Sequence, residues 1–281
     1  MIPSDAVHPR FSILTPHSHD LEDTFVVVVG SPPSESKRFT LHTSVFVAQS
    51  GYLAAARKPE WTAQNPGQPV DLKDEDPELF QAYMNCVYFG DETIEHWVDD
   101  YLSSLPEMLV DDKQQARDAL FTKLIGLYLL CQRLIDFKAA NMVIDEVIRL
   151  TNAAKIIPMR GPIVLAYSST IKDHPLRALI RDYWIYESSN TERRVLRADD
   201  FPAECLQDIT LALLGKFDEF PLRQFNLNLS VGTLCLRDKC RYHSHDEKHR
   251  RCVVKEEHTG KWTSEGESKR CVILTDEWRC R

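Results

Sequence analysis

Between residues 24 and 56 the hydrophobic period of the chain changes from two to 3.6, which restricts the fold more than any other feature of the sequence. Thr24 to Val29 reads TFVVVV, a β-branched and aromatic run closed by Gly30 and a Ser/Pro-rich stretch. Its unbroken apolar character predicts a strand covered on both faces. Arg38 to His42 (RFTLH) alternates, with Phe39 and Leu41 on one side, and is expected to pair with the first strand. Val45, Phe46, Gln49, Leu53 and Ala56 then recur at helical spacing, predicting one helix over 43–56 with Thr43 or Ser44 as its cap.

The pattern continues as α+β. Residues 59–69 are rich in Pro, Gly and Asn and read as loop, and PVDLKD (69–74) reads as a short strand. Asp76-Pro77 has the form of a cap followed by a first-turn proline. The helix it opens carries Leu79, Phe80, Tyr83, Met84, Val87 and Tyr88 inward and ends at Gly90. Residues 91–115 form an acidic, partly helical excursion. Helices are expected over 116–131 and 136–150, and, after the Pro158/Gly161/Pro162 punctuation, over 163–168, 176–187 and 204–220. The apolar faces of these last three are short, so they need a partner surface. The expected organisation is a flexible lead-in over 1–20, a small β-sheet flanked by a helical cluster over 21–151, an all-helical extension over 152–230, and a small Cys/His-containing tail over 231–281. Within that tail, 251–255 and 270–275 read as a hairpin or as disordered chain.

With 43% apolar and 27% charged residues, the chain is that of an ordinary globular protein. A net charge of -8 disfavours nucleic acid as a partner. The charge is uneven, however: from Cys235 to the end, twelve Lys/Arg stand against nine Asp/Glu. Every long apolar stretch is interrupted by charge and no membrane partner is expected, while MIPSDAVHPR lacks the layout of a secretory signal. The cytoplasm or nucleus is the expected location. The eight cysteines are therefore expected as thiols or metal ligands. Gly30-Ser31 leads into two prolines rather than a helix, so no phosphate loop follows the first strand. Without a nucleophile elbow or a paired acid and base, an enzyme is not expected.

The ordered set Phe39, Leu41, His42, then Ser50, Tyr52, Leu53, then Asp74, Pro77, Phe80, Tyr88 and Gly90 resembles the BTB/POZ family over residues 22–151. Thr43 stands where that family usually has a basic residue, and Leu53 where it has an aromatic one. The whole chain is similar to fungal proteins in which a BTB domain precedes a helical middle and a C-terminal Cys/His cluster. The resemblance implies a protein-interaction module: a substrate adaptor contacting a cullin-3 scaffold through 74–90 and 115–135, or a structural or transcription-regulatory protein with no cullin partner. Phe46, Tyr52, Phe80, Tyr83 and Tyr88 are expected chiefly as core, and His42 as a local backbone partner at the strand-to-helix junction. For self-association, Phe11, Ile13 and Leu14 make a poor exchangeable strand, so a monomer or labile dimer is expected.

Cys235 to Cys252 reads CLRDKCRYHSHDEKHRRC. Zinc takes four Cys or His ligands in close pairs, and Cys240 with His243 has a two-residue spacer. His245 with Cys252, or His249 with Cys252, completes a shell, with Cys235 in reserve. The resemblance favours Cys240, His243, His245 and Cys252. Four protein ligands leave no open position, so one Zn2+ here would be structural; the alternative is a basic, His-rich surface tail with unliganded thiols. No other cofactor is expected.

Overall fold

The computed structural model describes residues 23–31, 36–63, 67–104, 110–154, 157–188, 201–219, 231, 234 and 240–245. The expected lead-in over 1–20 and the hairpin between 251 and 275 lie outside them. The protein is α+β, and the chain divides into two compact units, Met1–Asp74 and Glu75–Arg281.

The first unit is built on a three-stranded sheet of β1 (Thr24–Val29), β2 (Lys37–His42) and β3 (Val70–Leu72), in the order β2-β1-β3. The expected pairing is present: β1 runs antiparallel to β2 with Phe25 opposite Leu41 and Val27 opposite Phe39. Directly opposed residues share a face, and all four are buried. The other face of β1 differs from expectation, because Val26 and Val28 are only half-buried. A β-branched side chain suits a half-covered pleat as well as a covered one, so valine content alone does not report burial. β3 lies parallel to β1, with Val27 opposite Val70 and Val29 opposite Leu72. Parallel neighbours need a crossover, and the chain between β2 and β3 supplies it.

That crossover holds α1 (Thr43–Gln49), α2 (Gly51–Ala56) and α3 (Pro59–Thr62). The single helix expected over 43–56 is two helices. Ser50 takes extended dihedrals (φ -98°, ψ 113°), and its hydroxyl accepts from Leu53 N–H at 3.1 Å, capping α2. A serine side chain offers the backbone an alternative to continued helix, which periodicity does not register. The cap of α1 is also displaced: His42 occupies that position, and Thr43 and Ser44 are inside the helix. Thr43 donates its backbone N–H to Asp23 at 2.9 Å, while its buried hydroxyl has no hydrogen-bond partner among the described residues. The short α3 falls in the stretch expected as loop, started by a proline that presets the helical φ.

The described part of the second unit is helical: α4 (Pro77–Phe89), α5 (Glu92–Ser104), α6 (Val110–Arg133), α7 (Phe137–Ala154), α8 (Arg160–Ser169), α9 (Pro175–Tyr186) and α10 (Ala203–Glu219). Asp76 caps α4 as expected, accepting from Glu78 and Leu79 N–H at 2.7 and 3.4 Å, with Pro77 in the first turn. The acidic excursion is mostly regular helix, α5 and the start of α6. α6 is central and packs on α4, α7 and α8, while α9 packs on α8 and α10. Leu120, Leu124, Leu127 and Leu130 of α6 and Ala140, Val143, Ile144 and Val147 of α7 are almost wholly buried, matching the stripes expected for them.

Buried polar groups pin these helices. At the α6–α7 corner Asp136 accepts from Ala139 N–H at 3.0 Å, closing the start of α7, and from the Tyr83 hydroxyl of α4 at 3.1 Å. Arg149 on α7 pairs with Glu146 and reaches Glu95 and Asp99 on α5. The buried guanidinium of Arg177 on α9 donates to the Tyr167 and Thr170 carbonyls at the end of α8 and pairs with Glu204 on α10. No helix among the described residues is long and apolar enough to cross a membrane.

Candidate functional site

The residues carrying the BTB resemblance fall into both units. Phe39 is buried on β2, His42 joins β2 to α1, Ser50 is buried at the α1–α2 break, and Tyr52 is 37% exposed. Asp74 ends the first unit, in the turn after β3. In the second unit Pro77 opens α4, Phe80 is buried, Tyr88 is half-buried, and Gly90 ends α4 at φ +84°. Phe80 lies against Tyr83, with ring centroids 5.8 Å apart. Apart from Asp74 in its turn and Tyr52, expected in the core but exposed, the motif residues mark strand ends, caps and packed positions. Beside Tyr88, the Phe89 ring is 73% exposed, with centroids 6.1 Å apart. A cleft of about 150 Å³ lies nearby on the same helix, lined by Cys86, Ile94, Trp97 and Leu127 and edged by Glu78, Gln81 and Asn85.

The most elaborate polar site in the second unit receives the segment 240–245. Its chain turns back on itself, His243 N–H donating to the Cys240 carbonyl at 3.2 Å. Tyr242 is fully buried, and its hydroxyl donates to Asp182 of α9 at 2.9 Å. The same carboxylate takes the Arg241 guanidinium, at 2.9 Å from Nε and 2.8 Å from a terminal nitrogen. Arg181 holds the other oxygen of Asp182. His243 is almost buried, with Nε2 2.8 Å from Asp145 of α7. Asn141, one turn earlier on α7, grips the backbone of Ser244 twice: its Oδ1 accepts from Ser244 N–H, and its Nδ2 donates to the Ser244 carbonyl, both at 2.9 Å. The Ser244 hydroxyl meets Gln132 Nε2 at 2.9 Å and the Tyr128 hydroxyl at 3.1 Å, both on α6.

Burial sets the electrostatics here. It pushes the Tyr242 hydroxyl well above its ordinary range, with the Asp182 charge adding to the effect. Tyr128 is pushed up to about 12, again by burial, so both phenols stay protonated donors at neutral pH. Burial likewise raises Cys86 and Cys205 to about 12, and Cys131 well above its ordinary value. These three thiols are neutral core groups.

Of the expected zinc ligands, Cys240, His243 and His245 are in this turn, with the two imidazole centroids 6.2 Å apart. Cys252, like Cys235 and His249, lies outside the described residues. Among the described residues no group of three or more His, Cys, Asp or Glu is close enough to hold a metal ion. His243 is instead oriented by Asp145, a partner that cluster spacing gave no sign of. Asn141 and Asp145 were legible only as polar interruptions of an apolar helix stripe at i, i+4 spacing, which places them on one face.

Comparison of the chain with protein-family models, with curated proteins and with solved structures finds no match.

Proposed function

We propose that the protein is a non-catalytic protein-interaction module: BTB/POZ-like over 21–151, extended by helices over 152–230 and by a Cys/His-rich tail. On this reading it is a substrate adaptor that binds a cullin-3 scaffold. The observation that supports it is Phe89, an aromatic side chain 73% exposed at the end of α4, in the stretch that the BTB resemblance assigns to partner contact. Large exposed aromatic groups are frequent anchors of protein interfaces. Calorimetric titration of the full-length chain with purified cullin-3 tests it. Binding that weakens at least tenfold in Phe89→Asp is the expected result; absence of binding by the unmodified chain rejects the cullin assignment.

A second reading, an interaction protein with no cullin partner, draws on α10. There Leu206, Leu211 and Leu214 are 37%, 56% and 54% exposed and fall within one side of the helix at about 100° per residue. Under it, Leu211→Asp/Leu214→Asp removes the partners recovered with the native protein, while Phe89→Asp leaves them in place.

The tail turn also supports a structural zinc site. Cys240 and His243 lie in one turn closed by a backbone hydrogen bond, and carboxylate support of a ligating imidazole, as Asp145 gives His243, is a general feature of zinc sites. Cys240, His243, His245 and Cys252 would hold the ion, which would supply cross-linking and no reactive water. Elemental analysis of untagged protein should find one equivalent of zinc; well under half an equivalent rejects the site.

A further inference from the structure

The cleft on α4 and the exposed ring at the end of the same helix are a hole and a knob on one surface. The hole, about 150 Å³, has Ala82, Cys86, Ile94, Trp97 and Leu127 as its apolar lining. That volume is small for a small-molecule pocket, which runs to about 300–1,000 Å³. It suits a single ring, since an apolar cavity of about 150 Å³ takes up benzene. Glu78, Ala82, Asn85 and Phe89 follow one another at four-, three- and four-residue steps, so Phe89 extends the cleft-lining stripe along one face of α4. Its ring is 73% exposed and stays out of its own chain's hole, because Ala82 lies about 10 Å back along the helix axis.

We propose that this face is a self-association surface, on which Phe89 of one copy fills the cleft of a second copy and receives that copy's Phe89 in its own. A surface that carries both a knob and its hole is self-complementary, the condition for a two-fold contact. Running α4 antiparallel to its counterpart, with the dyad near Asn85 and Cys86, brings each Phe89 over the other copy's Ala82. Charge complementarity supports the same arrangement. Lys123, 43% exposed, stands at the hole end with Glu78 at 3.2 Å, and the knob end carries Asp91 and the exposed Glu92. The antiparallel pairing sets Lys123 of one copy against those carboxylates of the other. A contact limited to this face falls at the small end of interface sizes, so the dimer is a labile one in the micromolar range. The proposal does not rest on the cullin assignment, but a dimer built this way covers Phe89 and competes with any other partner that uses it.

Sedimentation equilibrium of the full-length chain over a concentration series tests it. The unmodified protein should show a monomer–dimer equilibrium. Phe89→Ser, which removes the knob, and Ala82→Leu, which fills the hole and leaves Phe89 in place, should each weaken dimerisation at least tenfold. Lys123→Glu should weaken it as well, and Leu211→Asp on α10 should not. A monomer at every concentration overturns the proposal, as does a dimer that Phe89→Ser, Ala82→Leu or Lys123→Glu leaves intact, or one that Leu211→Asp abolishes. If Ala82→Leu loses native circular dichroism, photo-crosslinking decides. With p-azidophenylalanine in place of Phe89, in an equal mixture of unlabelled and 15N-labelled chains, one copy should be joined to α4 or α5 of the other. No cross-link between copies, or one to a different element, overturns it. No cullin is present in these measurements, so their failure is distinct from failure of the cullin titration.

Discussion

The Tyr242 hydroxyl donates to Asp182 across 2.9 Å, joining positions 60 residues apart with both side chains out of solvent. One carboxylate thereby fixes two consecutive residues of the tail turn to α9, because Arg241 shares it. Tyr242→Phe leaves Asp182 with its two arginines and should cost about 1–2 kcal/mol in urea unfolding. Asp182→Ala strands two half-buried guanidinium groups and a buried phenol, and should cost more, about 2–3 kcal/mol. Equal, small effects of the two substitutions would show that the turn is not held there.

Asp136 lies where a carboxylate is costly. Burial raises its pKa above the ordinary carboxylate range, against the lowering effect of the Ala139 N–H and Tyr83 hydroxyl bonds. A raised folded-state pKa means that the native state binds the proton more tightly than the unfolded chain does. The contribution is therefore full below the unfolded pKa and is lost as pH rises through the folded one. Asp136→Asn keeps one acceptor oxygen for the Ala139 N–H, turns its amide NH2 toward the Tyr83 hydroxyl, which can accept from it, and has no charge to bury. It should therefore remove this part of the pH dependence and leave a chain more stable than the parent at pH 7. Chemical unfolding at pH 4 to 7 measures it; a variant less stable than the parent at pH 7 would refute the assignment.

His174 caps α9 with a ring nitrogen, Nδ1 accepting from Leu176 N–H at 3.2 Å. Only the neutral imidazole can accept that bond. Its pKa is lowered, first by burial and then by the Arg177 charge. The sign is opposite to that of Asp136: the unfolded state binds the proton more tightly, and stability is lost as pH falls from the unfolded value through the folded one. His174→Asn, a good cap that does not titrate, should flatten the melting temperature between pH 5 and 7. His174→Ala should cost about 1 kcal/mol at pH 7.

Gly90 closes α4 at φ +84° and ψ -161°, a region essentially restricted to glycine. A Cβ there would meet no atom within 4 Å, so the penalty of Gly90→Ala is conformational rather than steric crowding by neighbours. It should destabilise by about 1–3 kcal/mol in thermal or urea unfolding, and an unchanged stability would mean that the turn has a different backbone.

Local chemistry made much of this fold legible. The Asp76-Pro77 start and Gly90 stop of α4, the β1–β2 pairing and the stripes of α6 and α7 follow from caps and periods that act within a few residues. Ser50 was read as a point in a helical run because its role depends on its own side chain competing with the backbone, which apolar spacing cannot see. The extent of α5 was obscured by its acidic sequence, where a solvated helix and a solvated loop look alike; Arg149 on a distant helix neutralises part of that face. The tail turn was legible as a Cys/His cluster but not as a docked element. Its partners Asn141, Asp145 and Asp182 are single polar residues on amphipathic helices, and nothing local pairs them with a segment 59 to 103 residues away.

Docking of the 240–245 turn is tested most directly by amide hydrogen exchange at Ser244 in the native full-length protein. Bonded to Asn141 at 2.9 Å beside a buried Tyr242, this amide should exchange far more slowly than in a free peptide of the same sequence, and Asn141→Ala should abolish the difference. Exchange at the free-peptide rate in the unmodified protein would contradict the docked arrangement.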